Sequence, residues 1–223
     1  MNRLPPAEPI AACRRCGTCC EKGGPTLHDR DRPLVESGAV PLRMLVTIRK
    51  GEIVSEPESG RLLRSEAEMI KLKGVGGGWT CICFEAGPNR CTIYDHRPAQ
   101  CRAMACWDTA EIRKVMATPK LCRRDLLAGV ESLWDLIQDH ERRCGLLRLH
   151  ELSTAIREKD KETAENELIE LLRYDKALRE VLVENGADAE HLEFLLGRPL
   201  DRLLPGFGLE LRHEKGRTGI ALV

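Results

Sequence analysis

The sequence predicts an α+β chain, mostly α: an irregular cysteine-rich metal-binding domain, then a helical region, then a terminal β-hairpin. Three observations predict it. Nine of the eleven cysteines fall between residues 13 and 106, among glycines and prolines with few apolar runs. From Asp108 onward, apolar residues recur at helical spacing. Residues 208–223 place two strand-like stretches around Glu-Lys-Gly-Arg. The domains expected are 1–107, cysteine-rich and metal-binding, and 108–223, mainly helical.

Residues 1–12 are proline-rich and read as a loose lead-in. Next comes Cys13-Arg-Arg-Cys16-Gly-Thr-Cys19-Cys20, four thiols in eight residues. Free cysteine is usually a small buried hydrophobe, but four this close do not fit one core, and Arg14 and Arg15 between them call for solvent or negative charge. Thiolates on a metal supply that charge. A Cys-x-x-Cys step brings two sulfurs to one ion from a tight turn, for which Gly17 provides a positive φ. Cys20 follows Cys19 directly and its side chain points another way, so it is expected to serve a second ion or a cluster edge. The run alone is not a closed site, and further ligands are expected elsewhere.

After Gly23-Gly24-Pro25, Asp29 or Asp31 is placed to cap a short helix with Pro33 in its first turn, ending near Gly38. Residues 44–49 and 51–54 read as two short extended pieces about a turn at Lys50-Gly51. Lys73-Gly-Val-Gly-Gly-Gly78 lacks the lysine and hydroxyl ending of a Walker loop and the spacing of a dinucleotide fingerprint, so it reads as an approach to Trp79 and Cys81.

A second cysteine block follows: Trp79-Thr-Cys81-Ile-Cys83-Phe84, then Arg90-Cys91-Thr-Ile-Tyr94-Asp-His96-Arg97-Pro98-Ala-Gln-Cys101-Arg102, then Cys106. With its CxxCGxCC opening, this arrangement resembles the YkgJ-type CxxCxxCC cysteine-cluster family, described as zinc- or iron-chelating domains. The flagellin lysine N-methylases carry a related cysteine pattern. The resemblance covers about the first half of the chain and implies metal binding more strongly than any reaction. It implies Cys13, Cys16, Cys19, Cys20, Cys81, Cys91 and Cys101 as ligands, with Cys106 where many relatives have a nearby cysteine. Cys83 departs from the pattern and reads as packing or a spare thiol. Eight sulfurs suit two tetrahedral zinc ions, or one four-iron, four-sulfur cluster with sulfurs to spare. Arg97, beside Pro98 between two of these cysteines, is expected to support the ligands from behind. His96 is a reserve ligand.

The helical half begins with Ile112, Val115 and Met116 on one face. After Pro119, a helix over about 122–143 presents Leu126, Leu127, Val130, Leu133, Trp134 and Ile137, with Gly145 in the position of its cap. His140 and Cys144, four apart on one face, are candidate extra metal ligands or a thiol beside a base. Cys122 reads as a core or surface thiol. Helices continue over 146–157 and 162–184, the second with Leu168, Leu171, Leu172, Leu178, Val181 and Leu182 as an intramolecular stripe. A short helix near 188–196 precedes the hairpin. His28, His150, His191 and His213 have no cysteine neighbours and read as surface residues.

The charge balance, 35 basic against 35 acidic residues, and the few aromatics argue against a nucleic-acid partner. No apolar run approaches a membrane span. The odd number of cysteines and an N-terminus without an apolar signal core point to a reducing cytoplasm with thiols on metal. The function expected is structural or regulatory metal binding, with an unidentified protein partner. An iron-sulfur redox or lysine-methylating enzyme is the alternative, although no S-adenosylmethionine site and no Cys-x3-Cys-x2-Cys run is present; a metallochaperone is third.

Overall fold

The computed structural model describes residues 13–56, 59–158, 161–214 and 217–223; the lead-in at 1–12 and the hairpin turn at 215–216 lie outside these. In chain order the elements are α1 (Thr18–Glu21), α2 (Arg32–Glu36), β1 (Leu45–Ile48), β2 (Ile53–Ser55), β3 (Leu62–Arg64), β4 (Met69–Leu72), β5 (Phe84–Glu85), β6 (Arg90–Cys91), α3 (Ala99–Ala103), α4 (Ala110–Met116), α5 (Arg123–Leu126), α6 (Glu131–Arg143), α7 (Leu146–Glu158), α8 (Lys161–Glu184), α9 (Leu192–Leu196), α10 (Leu200–Leu203), β7 (Leu209–Glu214) and β8 (Arg217–Leu222). The strands pair two by two, β1 with β4, β2 with β3, β5 with β6 and β7 with β8. The fold is α+β and mostly α, as expected from the periodicity. No helix among the described residues is long and apolar enough to cross a membrane.

The chain forms two compact units. One comprises the chain up to Val40 together with Leu72–Lys120, and the other Pro41–Lys71 with Leu121–Val223.

The second unit has a continuous apolar core. Leu146, Leu149, Leu152 and Ile156 recur every three or four residues along α7, so they form one stripe. They join Leu168, Ile169 and Leu172 of α8, Leu200 and Leu203 of α10, and Leu209 and Ile220 of the terminal hairpin. That hairpin is antiparallel, with Leu211 opposite Ile220. All four residues of β1 are buried, and Thr47 Oγ1 donates to Phe194 O at 2.6 Å, fastening α9 over the strand.

Beside this core lies a buried ion network. Arg49, fully buried, gives its Nε to Glu141 Oε1 at 2.9 Å and an Nη2 bond to the Cys144 carbonyl. Arg123 Nη2 reaches Glu141 Oε1 at 2.7 Å and Glu68 Oε2 at 2.6 Å, and its Nη1 donates to Leu195 O. Buried charge is tolerated only when paired in this way. Glu141 therefore ties the residue after β1, the start of α5 and the end of α6 together.

The first unit buries fewer large apolar residues, among them Leu27, Phe84, Ile93, Ile112 and Val115. Its order rests on polar clamps. Asp31, fully buried, accepts from His28 N at 2.9 Å and from Ala99 N at 2.8 Å, the first residue of α3. The His28 ring lies between Thr118 and Gln100: Nδ1 is 3.2 Å from Thr118 O and Nε2 is 3.0 Å from Gln100 Nε2, whose Oε1 accepts from Thr26 N. The start of α3 is thus held from three sides.

Three expectations need correction. His28 is not a surface residue but fully buried, because its two ring nitrogens bridge separate segments. The helix over 122–143 is two helices. α5 stops at Leu126 and α6 begins at Glu131, because Gly129 takes a left-handed φ of 89° that no helix tolerates. Finally, α6 is capped by Cys144, whose N–H donates to His140 O at 2.7 Å, rather than by Gly145.

Burial raises the Glu141 pKa, but Arg49 and Arg123 outweigh it, so the carboxyl ends below its usual value. A carboxylate depressed in the folded state contributes stability that is present above its unfolded pKa and lost as pH falls through the folded one. Glu141→Gln leaves Arg49 without its counter-charge and is expected to cost about 3–5 kcal/mol at neutral pH. Denaturant unfolding should show this deficit shrinking as pH drops below the ordinary carboxylate range.

Candidate metal centre

The first cysteine run folds as a turn into α1. Gly17 takes φ 79°, and its carbonyl accepts from Cys20 N at 2.8 Å and Glu21 N at 3.0 Å, closing the turn. A Cβ on Gly17 would lie 2.2 Å from Phe84 Cζ, so only glycine lets this aromatic ring of β5 approach the run. Cys81 N then donates to Cys20 O at 2.8 Å, lashing the second block to the first. The short β5–β6 ladder places Cys91 opposite Phe84. Thr92 N donates to Cys83 O at 2.8 Å.

These contacts bring together thiols that are far apart in sequence. Cys20 is half-buried and its pKa is pushed up to about 12, first by burial and then by the charge and hydrogen bond of Cys19 and the charges of Cys81 and Cys91. Cys101 is raised by burial and by the charges of Cys81, Cys20, Cys91 and Cys19. Cys91 is raised by burial and by Cys81, although Arg97 pulls against both. Cys19, Cys20, Cys81, Cys91 and Cys101 therefore lie close enough to feel one another's charge. Cys83 joins them, buried and hydrogen-bonded to Cys81, with its thiol held up by that bond and by burial. The departure from the expected pattern thus lies inside the cluster.

Cys13, Cys16 and Cys106 are exposed. Arg15 N donates to Cys13 Sγ at 3.4 Å, and Thr18, 3.4 Å from Cys16 Sγ, draws the Cys16 thiol below its ordinary range. His96 is also exposed, in the turn Tyr94–His96. Arg97 lies over the Tyr94 ring at 3.6 Å and donates its Nε to Tyr94 O at 2.8 Å. Arg15 also lies over that ring at 4.2 Å, from a left-handed φ of 54° that costs a residue with a side chain about 1–2 kcal/mol. Two guanidinium groups are gathered on one tyrosine beside the thiols.

The donor set fits a thiophilic metal. Soft sulfur ligands suit zinc, copper(I) and iron, and neighbouring thiols that raise one another cannot ionise together unless a cation is shared among them. The sulfurs are not drawn tight: among the described residues, the group whose ligand atoms all lie within 4.8 Å of one another is His140, Cys144 and Asp175, in the second unit. The candidate extra ligands His140 and Cys144 are thus gathered with Asp175, and Cys122 hydrogen-bonds Asp125 in that unit.

Neither the curated proteins nor the solved structures offer a match to this chain. The model of one family covers residues 12–123, just over half the chain and both cysteine blocks. On that match the protein is a metal-binding chain that belongs to the CxxCxxCC family, whose description reads "Putative zinc- or iron-chelating domain".

Proposed function

We propose that the first unit is a structural metal module, holding zinc through thiolates drawn from both cysteine blocks, with Cys19, Cys20, Cys81, Cys91 and Cys101 at its centre. One observation carries this reading: backbone bonds bring Cys20 to Cys81 and set Cys91 opposite Phe84, so that thiols from separate stretches gather in a unit with a small apolar core. A loop-rich unit gains from metal the folding energy that apolar burial does not provide, since ligands preassembled in the folded state make binding free energy into folding free energy. A shell of four thiolates is closed, and closed zinc sites are structural. Arg15 and Arg97 supply positive charge against the thiolates. The protein then serves as a binding or scaffold module in the cytoplasm, with a protein partner.

Metal analysis with an ultraviolet-visible spectrum on protein purified without oxygen tests the reading. A colourless protein with one or two zinc ions per chain is expected. A brown protein absorbing near roughly 400 nm with iron and sulfide overturns the zinc assignment in favour of a cluster.

Cys20→Ser and Cys101→Ser should each remove most of the retained metal, whereas Cys122→Ser should leave it unchanged. Equal loss in all three would contradict the ligand set. Arg97→Gln should weaken zinc affinity by about tenfold, the usual effect of losing a group that supports a ligand, as read by chelator competition.

Because Cys20 is a thiol at neutral pH, zinc must displace its proton. Binding should release protons to solvent, and affinity should fall as pH is lowered, by up to about tenfold per pH unit for each thiol deprotonated. Calorimetry in buffers of different ionisation enthalpy reads the proton count. A pH-independent affinity would sink the thiolate assignment.

A further inference from the structure

The second unit contains a group that the cysteine cluster does not use. His140 and Cys144 lie one turn apart at the end of α6 and Asp175 comes from α8; all three are buried, with ligand atoms within 4.8 Å of one another. The carboxylate of Asp175 is fully engaged. Its Oδ1 accepts from His140 Nε2 at 2.7 Å and Arg179 Nη2 at 3.1 Å, and its Oδ2 accepts from Arg179 Nε and Leu200 N, both at 3.1 Å.

Pairing with Arg179 keeps the carboxylate ionised, so His140 Nε2 carries the proton that it donates. The lone pair therefore sits on Nδ1. Among the described residues, this buried Nδ1 has no hydrogen-bond partner. A buried acceptor left empty bears the full cost of its desolvation, and a soft sulfur ligand stands in the same group.

We propose that His140 Nδ1 and Cys144 Sγ together hold a single monovalent thiophilic cation of the copper(I) and silver(I) class, with Asp175 orienting the imidazole through its other nitrogen.

Three features select this class. A structural zinc site takes four ligands, whereas among the described residues this group offers, beside the engaged carboxylate, one unpartnered nitrogen and one sulfur, and copper(I) and silver(I) accept two donors in line. Sulfur ligands favour soft ions. Charge decides between valences: a thiolate and a monovalent cation sum to zero, while a divalent ion would leave positive charge near Arg49 and Arg179 without a counter-ion. Asp175 then has the familiar place of a carboxylate behind a ligating histidine. In the binding step the Cys144 S–H bond breaks, the sulfur–metal bond forms, and the proton leaves to solvent. Since the group is closed off, the ion enters as the unit folds.

The test refolds the full reduced chain with increments of silver(I) and records proton–silver correlation spectra. A silver nucleus coupled to both the Cys144 β protons and the His140 ring protons is expected, with the Nδ1 resonance moved away from that of a bare imidazole nitrogen. Cys144→Ser should abolish this signal while silver on the first unit's cysteines persists. Silver coupled only to cysteines of the first unit, with His140 Nδ1 unmoved, overturns the proposal and leaves a buried water as the partner of Nδ1. Refolding with zinc that shifts Nδ1 where silver does not overturns it as well, because the charge argument then fails.

Discussion

Thiols brought close together ionise together only when a cation joins them, and in the proposed metal module the first unit is organised by that constraint. Cys19 and Cys20 meet Cys81, Cys91 and Cys101 only because the chain returns after more than fifty residues in sequence to lay Cys81 N against Cys20 O. Without metal, this convergence raises the pKa of Cys20, Cys91 and Cys101 and gives little in return. In the proposed module each thiolate gains a cation in common when metal is bound, and the same convergence then stabilises the unit. The polar clamps serve the same end. Asp31 and His28 fix the start of α3, and α3 carries Cys101.

The second unit is built on different physics. Apolar stripes on α7 and α8 close over α10 and the terminal hairpin, and its buried charges are neutralised within the protein by the Arg49, Glu141, Arg123 and Glu68 network. Its core owes nothing to a thiolate cluster. The two units differ accordingly in what removing metal should do to them.

Much of this was legible in the sequence. The crowding of cysteines, the positive φ at Gly17, the apolar periods of α7 and of the first half of α8 and the alternation of the final hairpin are local signals, and local geometry realised them, whereas Val181 of the expected α8 stripe is exposed. What was not legible depends on distant partners. His28 has no cysteine nearby and reads as a surface residue until Gln100 and Thr118 are placed around its ring. His140 and Cys144 are visible as a pair one turn apart, but Asp175 lies thirty-five residues further on, and no spacing rule connects it. Residues 41–71 look like loop and short strand between two cysteine blocks, and nothing in them announces Arg49 as the buried partner of Glu141. Cys83 reads as packing or a spare thiol because it departs from the family spacing, and its burial against Cys81 follows from the tight turn that joins Cys81 O to Phe84 N.

The account rests on metal holding the first unit together, and amide hydrogen exchange before and after a strong chelator tests that most directly. Loss of protection confined to the described residues up to Val40 and in Leu72–Lys120, with α7 and α8 still protected, is the result predicted. Protection that survives complete removal of metal in Cys81–Cys101 would contradict it, because the unit would then be stable on its own contacts.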